Sequence, residues 1–274
     1  MIACDLDGTL LNADNMIGGE TARLVRQIIE LDIEFVFITA RHHFAAEPFA
    51  DDLRLDETII SLDGALTKCP HENSIIAMNP IDASLMLAVA ERVAATPAVD
   101  CAFVMADRIH VSRRDMVIPG RHTHWNIDSV VTEKLADVKE PVLEMIASGT
   151  FRAINEVYAI VKPREQSSSV RTRLYESDSH GDLWYLEARS IYASKVHALS
   201  DYARLRSISM GDVIAIGDER NDVEFCEKAG YTVAVRNAVS RLKEIADYVT
   251  ERACTEEGIN EFLEYFLTVR RQHA

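Results

Sequence analysis

Near its start the chain reads IACDLDGTL, an apolar strand candidate that runs into two acids, Asp5 and Asp7, and then a glycine turn. Residues two apart in an extended chain point the same way, so the two carboxylates would repel one another unless a cation held them. Three other places end an apolar strand or open a helix with a polar residue. They are Thr39 after FVFI, Lys195 in SKVHALSDYARL, and Asp218 with Asn221 and Asp222 after VIAIG. Four aspartates brought together call for a hard cation, and magnesium takes oxygen ligands at about 2.0–2.1 Å while keeping several waters. Lys195 would add a fixed positive charge, and Thr39 a hydroxyl donor for a phosphoryl oxygen. An aspartate held against metal and lysine stays ionised, as a carboxylate nucleophile requires. A second carboxylate can protonate a leaving oxygen and then activate water.

The elements that must carry these residues alternate strand and helix. After IACDL, the segment ETARLVRQIIEL sets Leu24, Ile28 and Leu31 on one helical face. IEFVFITA is a continuous apolar run of the kind a buried parallel strand shows, a helix through FAAEPFADDL follows, and ETIISLDGAL again reads as a strand. Such β-α-β repeats build a parallel sheet with right-handed crossovers, and ligands bind outside the carboxyl ends of its strands. The texture returns in SKVHALSDYARL, DVIAIG, DVEFCEKAG, YTVAV, VSRLKEIA, DYVT and NEFLEYFLTV. Between them the character changes. CAFVMA, IHVSR, VLEMIA, VYAIV and DLWYLEA read as strands, and ASLMLAVAERVAA and SSVRTRLYE as helices, which predicts an inserted α+β unit. The expected fold is therefore α/β: a Rossmann-like parallel-sheet core over 1–71 and 187–274, with an α+β cap over 72–186. Linkers near 71 and 187 would let such a cap open and close.

DLDGTL, the strand-terminal Thr39, Lys195 and GDERND, in this order, resemble the four motifs of the haloacid dehalogenase superfamily of aspartyl phosphohydrolases. AGYTVAVRNAVSRLKEIADYVT looks like its Cof-type branch, whose members carry an α+β cap between the second and third motifs. The resemblance implies that Asp5 attacks phosphorus, forming an aspartyl-phosphate. Asp7 would be general acid and base, its backbone carbonyl touching Mg2+. Asp218 would ligate the metal with Asp5, and Asp222 would steady the metal or its waters. Thr39 and Lys195 would bind phosphoryl oxygens, Asn221 would help hold the phosphoryl group, and Gly8 and Thr9 would turn the chain and offer backbone N–H groups. The reaction implied is hydrolysis of a small phosphate monoester, a sugar phosphate or a phosphorylated cofactor. Three departures bear on substrate handling. The second motif reads TAR where TGR is common, Lys195 is followed by Val196 where KG is frequent, and Glu219 and Arg220 stand inside the fourth motif.

Each residue also has a plainer reading. An acidic pair at a strand end is commonly a solvated turn or a cap, Thr39 alone a strand residue, and Lys195 alone a solvated helix lysine. Asp218 or Asp222 would also serve to cap DVEFCEKAG. Arg41, His42 and His43 follow the second motif; Arg41 would lie near the pocket, and the two histidines read as a solvated first helical turn. Arg113, Arg114, Arg121, His122 and His124 form a basic loop, read as surface since no third metal ligand accompanies the histidines. Asp63-Gly64 reads as a turn at the core–cap hinge.

Other chemistries fit less well. A phosphomutase of the same superfamily, or a metabolite sensor or partner-binding protein that kept the pocket, are the alternatives. Asp7 is superfluous for dehalogenation, and no GxGxxG follows the first strand as a dinucleotide site would need. The net charge of −15 disfavours nucleic acid as a partner. With 48% hydrophobic residues but no run of membrane-span length, and a start that passes straight into a strand, no membrane partner is expected and the cytoplasm is the expected place. The five cysteines show no paired spacing, which fits a reducing compartment, and Cys4 reads as packing. Monomer and homo-oligomer are equally open.

Overall fold

The computed structural model describes residues 1–55, 58–70, 74–118 and 127–272. The chain divides into two compact units, one of Met1–Ile76 with Ser194–Ala274 and one of Ala77–Ala193.

The first unit opens with β1 (Ile2–Cys4), α1 (Gly19–Ile29), β2 (Phe35–Ile38), α2 (His43–Leu53), β3 (Ile59–Ser61), β4 (Leu66–Lys68) and β5 (Ile75–Met78). The second follows with α3 (Ala83–Ala94), β6 (Val99–Val104), β7 (Ile109–Val111), β8 (Ser129–Val131), β9 (Glu144–Gly149), α4 (Phe151–Gln166), β10 (Val170–Glu176) and β11 (Trp184–Ser190). The chain then returns with α5 (Lys195–Leu205), β12 (Ile214–Gly217), α6 (Val223–Lys228), β13 (Tyr231–Ala234), α7 (Ser240–Ile245), β14 (Tyr248–Val249) and α8 (Ile259–Gln272).

The larger sheet has the order β14-β13-β12-β1-β2-β3-β4-β5, with β14 through β3 all parallel and β3–β4 antiparallel. The α/β reading with a parallel sheet is borne out. β1 sits between β12 and β2 and is fully buried, as a strand covered on both faces should be. The helices pack in two groups, α1 with α2 and α8, and α5 with α6 and α7. Strand order reverses around β1, because the chain extends the sheet on one side with β2 and later on the other with β12. The carboxyl ends of these strands therefore lie side by side at the switch point, where parallel sheets bind ligands.

In the second unit six strands run in the order β10-β11-β9-β6-β7-β8. All neighbours are antiparallel except β7 and β8. Residues of α3 and α4, including Val89, Ile154 and Val157, share a core with Cys101, Phe103, Met145 and Leu186 of the sheet.

Several local expectations are corrected. VYAIV lies inside α4, where Ala153, Ile154, Val157 and Val161 form the buried stripe and Thr150 caps the start through the Ala153 N–H. Short apolar runs do not distinguish strand from helix, and the longer period decides. SSVRTRLYE contributes β10 instead of a helix, paired along its length with β11 from Val170↔Ser190 to Glu176↔Trp184. Leu31 falls beyond α1 and is exposed, while Leu24 and Ile28 are buried. ETIISLDGAL breaks into β3 and β4 around a turn at Leu62–Gly64. The linker expected near 187 is not there, since Glu187 is a buried residue of β11, and the return to the first unit comes at Ser194. Residues 71–73 lie outside the described residues, as do Arg121, His122 and His124 of the basic loop. Arg113 of that loop pairs with Asp100 at 2.6 Å. No described helix is long and apolar enough to cross a membrane.

Candidate active site

Asp5 continues the β1 ladder by one residue, its N–H donating to the Ile216 carbonyl of β12 at 3.0 Å. The chain then leaves the sheet, and Gly8 takes φ +78°, a conformation that suits glycine. A Cβ at Gly8 would stand 2.3 Å from Asp218 Oδ2, so the turn also needs the missing side chain to approach the next strand's end. Because the strand stops at Cys4, Asp5 and Asp7 do not share one environment as alternation suggested. Asp5 is 5% exposed, whereas the Asp7 side chain is 51% exposed and bound bidentately by Arg41, at 2.8 Å to Oδ2 and 2.5 Å to Oδ1.

Lys195 is the first residue of α5, which Ser194 caps through the His197 N–H. Its ammonium group is buried and donates to Asp5 Oδ1 at 2.5 Å and to Asp222 Oδ1 at 2.6 Å. Asp222 closes the turn after β12, its Oδ2 accepting the N–H groups of Asp218 at 3.0 Å and Glu219 at 2.9 Å. Asp218 directly follows β12 and accepts the Thr9 hydroxyl on Oδ1 at 2.8 Å. Thr9 thus contributes its side chain, a bond that sequence reasoning assigned only to its backbone. The solvated-turn and surface-lysine readings do not hold for Asp5, Asp222 and Lys195.

Thr39 ends β2 fully buried, and its Oγ1 accepts the Arg41 N–H at 3.1 Å. A hydroxyl that accepts in this way can still donate to an incoming oxygen. The loop after β2 is tied to the turn after β3 by Asp63 N–H to the Thr39 carbonyl and Leu62 N–H to the Arg41 carbonyl. That turn has Leu62, Asp63 and Gly64 at positive φ, and a Cβ at Gly64 would stand 2.5 Å from the Ser194 carbonyl. Asn221 does not join the acidic cluster, since its Nδ2 donates to Asp63 Oδ1 at 2.9 Å.

Asn237 is a neighbour that the motifs do not single out, and the two histidines after the second motif are placed otherwise than expected. Asn237, just past β13, donates from Nδ2 to the Gly8 carbonyl at 2.7 Å and to Asp218 Oδ2 at 3.4 Å. Its signal is weak, since it stands three residues beyond the end of another parallel strand and follows Arg236. His42 and His43 are fully buried and not solvated. His42 caps α2, with Nδ1 accepting from the Phe44 N–H at 3.4 Å, and both rings lie beside Phe44.

Burial sets the protonation of the cluster. It pushes Asp5 well up against the opposing pull of Lys195, and pushes Asp218 up to about 7 against the Thr9 bond. Burial also opposes charge on Lys195, but Asp5 and Asp222 outweigh it and hold the ammonium protonated. One carboxylate oxygen from each of Asp5, Asp218 and Asp222 lies within 4.8 Å of the others. Every donor is a hard oxygen, and when all three carboxylates are ionised against one ammonium the buried cluster carries two negative charges that a cation would offset. Such a set fits a divalent cation of the magnesium kind and disfavours softer metals.

Comparison with known proteins agrees with the motifs. The sequence model for haloacid dehalogenase-like hydrolases matches residues 2–263. The chain is 23% identical over 287 residues to the 5-amino-6-(5-phospho-D-ribitylamino)uracil phosphatase YwtE of Bacillus subtilis, covering 97% of this chain and 98% of that one. It is 24% identical over 258 residues to the pyridoxal phosphate phosphatase YbhA of Escherichia coli, covering 91% and 92%. Among solved structures, a haloacid dehalogenase-like hydrolase from Bacteroides thetaiotaomicron superposes with a TM-score of 0.81 at 23% identity, over 97% of this chain and 98% of that one.

Proposed function

The chain belongs to the haloacid dehalogenase-like hydrolases, and from that premise we propose that it is a magnesium-dependent phosphatase that hydrolyses a small phosphate monoester through an aspartyl-phosphate. The observation that carries this reading is the contact of Asp5 with Lys195 at 2.5 Å, beside Asp218 and Asp222 at adjoining strand ends. A buried carboxylate steadied by one fixed cation and facing the open end of the sheet is poised as a nucleophile.

Asp5 attacks phosphorus in line and carries the phosphoryl group. Lys195 and the Thr39 hydroxyl bind oxygens of that group, and the Gly8–Thr9 turn offers backbone N–H donors. Asp5 and Asp218, with the backbone carbonyl of Asp7, would hold Mg2+, and Asp222 would keep Asp218 and Lys195 in place. The bound ion offsets the charge of the cluster and of the transferring phosphoryl group. Asp7 delivers a proton to the leaving oxygen and later takes one from water, which suits its place on the exposed side of the turn. Asn221 acts one step out, through Asp63, on the loop that carries Thr39.

The substrate class we assign is a small phosphorylated metabolite, a sugar phosphate or a phosphorylated cofactor. The relatives support it, since two with near full-length similarity are named for phosphorylated small molecules. The unit of Ala77–Ala193 is assigned substrate selection. The test is magnesium-dependent release of inorganic phosphate from a panel of phosphorylated sugars, nucleotides and cofactors, run beside Asp5→Asn. Turnover that needs magnesium and vanishes in the variant is expected. Normal turnover by folded Asp5→Asn would remove the nucleophile assignment.

A further inference from the structure

Asn237 stands outside the four motifs, yet its side chain ties together three loops, two of which carry the proposed metal ligands. Its Nδ2 donates to the Gly8 carbonyl in the loop after β1 and to Asp218 Oδ2 in the loop after β12. Its Oδ1 accepts the N–H of Cys254, beyond β14, at 2.8 Å. The amide orientation follows from its partners. Turned over, Oδ1 would face two acceptors and Nδ2 would face an N–H donor. Each loop needs such a tie for its own reason. Gly8 lies so close to Asp218 that a Cβ would not fit between them, and β1 and β12 end at Cys4 and Gly217, so neither ladder fixes the turns that follow. Asp218 has Thr9 on Oδ1, and the Asn237 bond falls on the other oxygen. Together the two donors fix the plane of the carboxylate.

We propose that Asn237 is a positioning residue for the divalent cation, holding Asp218 and the turn from Asp7 to Gly8 in register so that the metal's protein ligands are set before it arrives. This rests on the proposed function and names a further residue for it. Partners that orient a ligating carboxylate typically change metal affinity or activity by about 10–100-fold when removed. Asn237 is itself exposed, and its loss opens no cavity in the core, so a role confined to stability would be small.

The test is calorimetric titration of the metal-free protein with magnesium chloride, without substrate, for the unaltered chain, Asn237→Ala and Asn237→Gln. Thermal unfolding in EDTA is measured alongside. The expected result for Asn237→Ala is an unfolding midpoint in EDTA close to that of the unaltered protein and a magnesium Kd raised about tenfold or more. In turnover, the magnesium concentration at half-maximal rate rises by the same factor while substrate KM at saturating magnesium holds. Asn237→Gln, which keeps both donors and the acceptor on a longer stem, recovers part of the affinity. If Asn237→Ala does not fold, Asn237→Ser carries the same expectation, because its single short donor cannot reach both oxygens. A folded Asn237→Ala or Asn237→Ser that binds magnesium as tightly as the unaltered protein overturns the inference. An unaltered protein that binds no magnesium overturns the proposed function instead, so the two failures are distinct.

Discussion

His43 gives the acid limb of the stability curve a specific origin. Its ring is fully buried at the start of α2, and neither nitrogen has a hydrogen-bond partner among the described residues. Burial, with Lys68 and His42 adding like charge, pushes its pKa down from 6.5 to about 3, although Glu47 lies 4.0 Å from Nε2 and acts the other way. The folded protein thus keeps His43 neutral where the unfolded chain takes up a proton. The sign follows: the folded pKa is the lower one, so full stability is present above about pH 6.5 and is lost as pH falls toward 3. The slope is about 1.4 kcal/mol per pH unit, which gives a loss of about 2 kcal/mol at pH 5. Replacing the ring by an apolar side chain of similar size, as in His43→Leu, removes both the proton site and the buried nitrogens. Urea unfolding of the metal-free protein at pH 5.0, 6.5 and 8.0 reads the effect as the difference between unaltered chain and variant, in which all other titrations cancel. That difference should move by about 2 kcal/mol in favour of His43→Leu between pH 8 and pH 5. A difference that stays constant over this range would refute the reasoning, since His43 would then titrate alike in folded and unfolded chains.

The remaining expectations concern the acidic cluster. Asp218, raised to about 7 in the metal-free protein, has the opposite sign: the fold favours its protonated form, and this contribution is lost as pH rises from 3.8 through about 7. Under the proposed function magnesium must displace the protons of Asp218 and of Asp5, which burial also raises, so affinity should rise with pH and calorimetric proton release should be larger at pH 6 than at pH 8.5. Gly8→Ala places a Cβ 2.3 Å from Asp218 Oδ2 at φ +78°, so urea unfolding should show a loss of at least about 1–2 kcal/mol. Magnesium titration of the same variant should show weaker binding, and unchanged affinity would mean that Asp218 tolerates displacement.

How much of this was legible depends on the range of the interaction. Strand ends in the parallel unit were readable because a doubly covered strand shows as an apolar run, and the first polar residue after it marks the edge of the sheet. Asp5, Thr39 and Asp218 follow that rule, whereas Asn237 does not, since Val235 and Arg236 stand between it and the end of β13. A lone asparagine beyond a strand also carries no charge to be explained. Asp7 was misplaced in detail, because alternation holds only while the chain stays extended and β1 stops at Cys4. His42 and His43 looked solvated because sequence shows their polarity but not the packing of α2 against them. In the second unit, VYAIV and SSVRTRLYE exchanged identities. An apolar pentapeptide fits either period, and β10 is set by its antiparallel partner β11 more than by its own composition.

The charge of the acidic cluster bears on the proposed reaction. Asp5, Asp218 and Asp222 against Lys195 leave the ionised site with two net negative charges, and burial magnifies their repulsion for a phosphate dianion. Arg41 is already held in a bidentate pair with Asp7. With the carboxylates ionised, a divalent cation of the proposed kind would cancel the two charges and lower the repulsion for a phosphate dianion. The same contrast separates the two carboxylates at the front of the chain. Asp5, buried against Lys195, is kept from water and suits covalent attack. Asp7, half exposed and paired with a guanidinium, can exchange protons with solvent between the two half-reactions. One strand end followed by one glycine turn thus places the proposed nucleophile and the proposed proton carrier two residues apart in sequence, but in media of very different polarity.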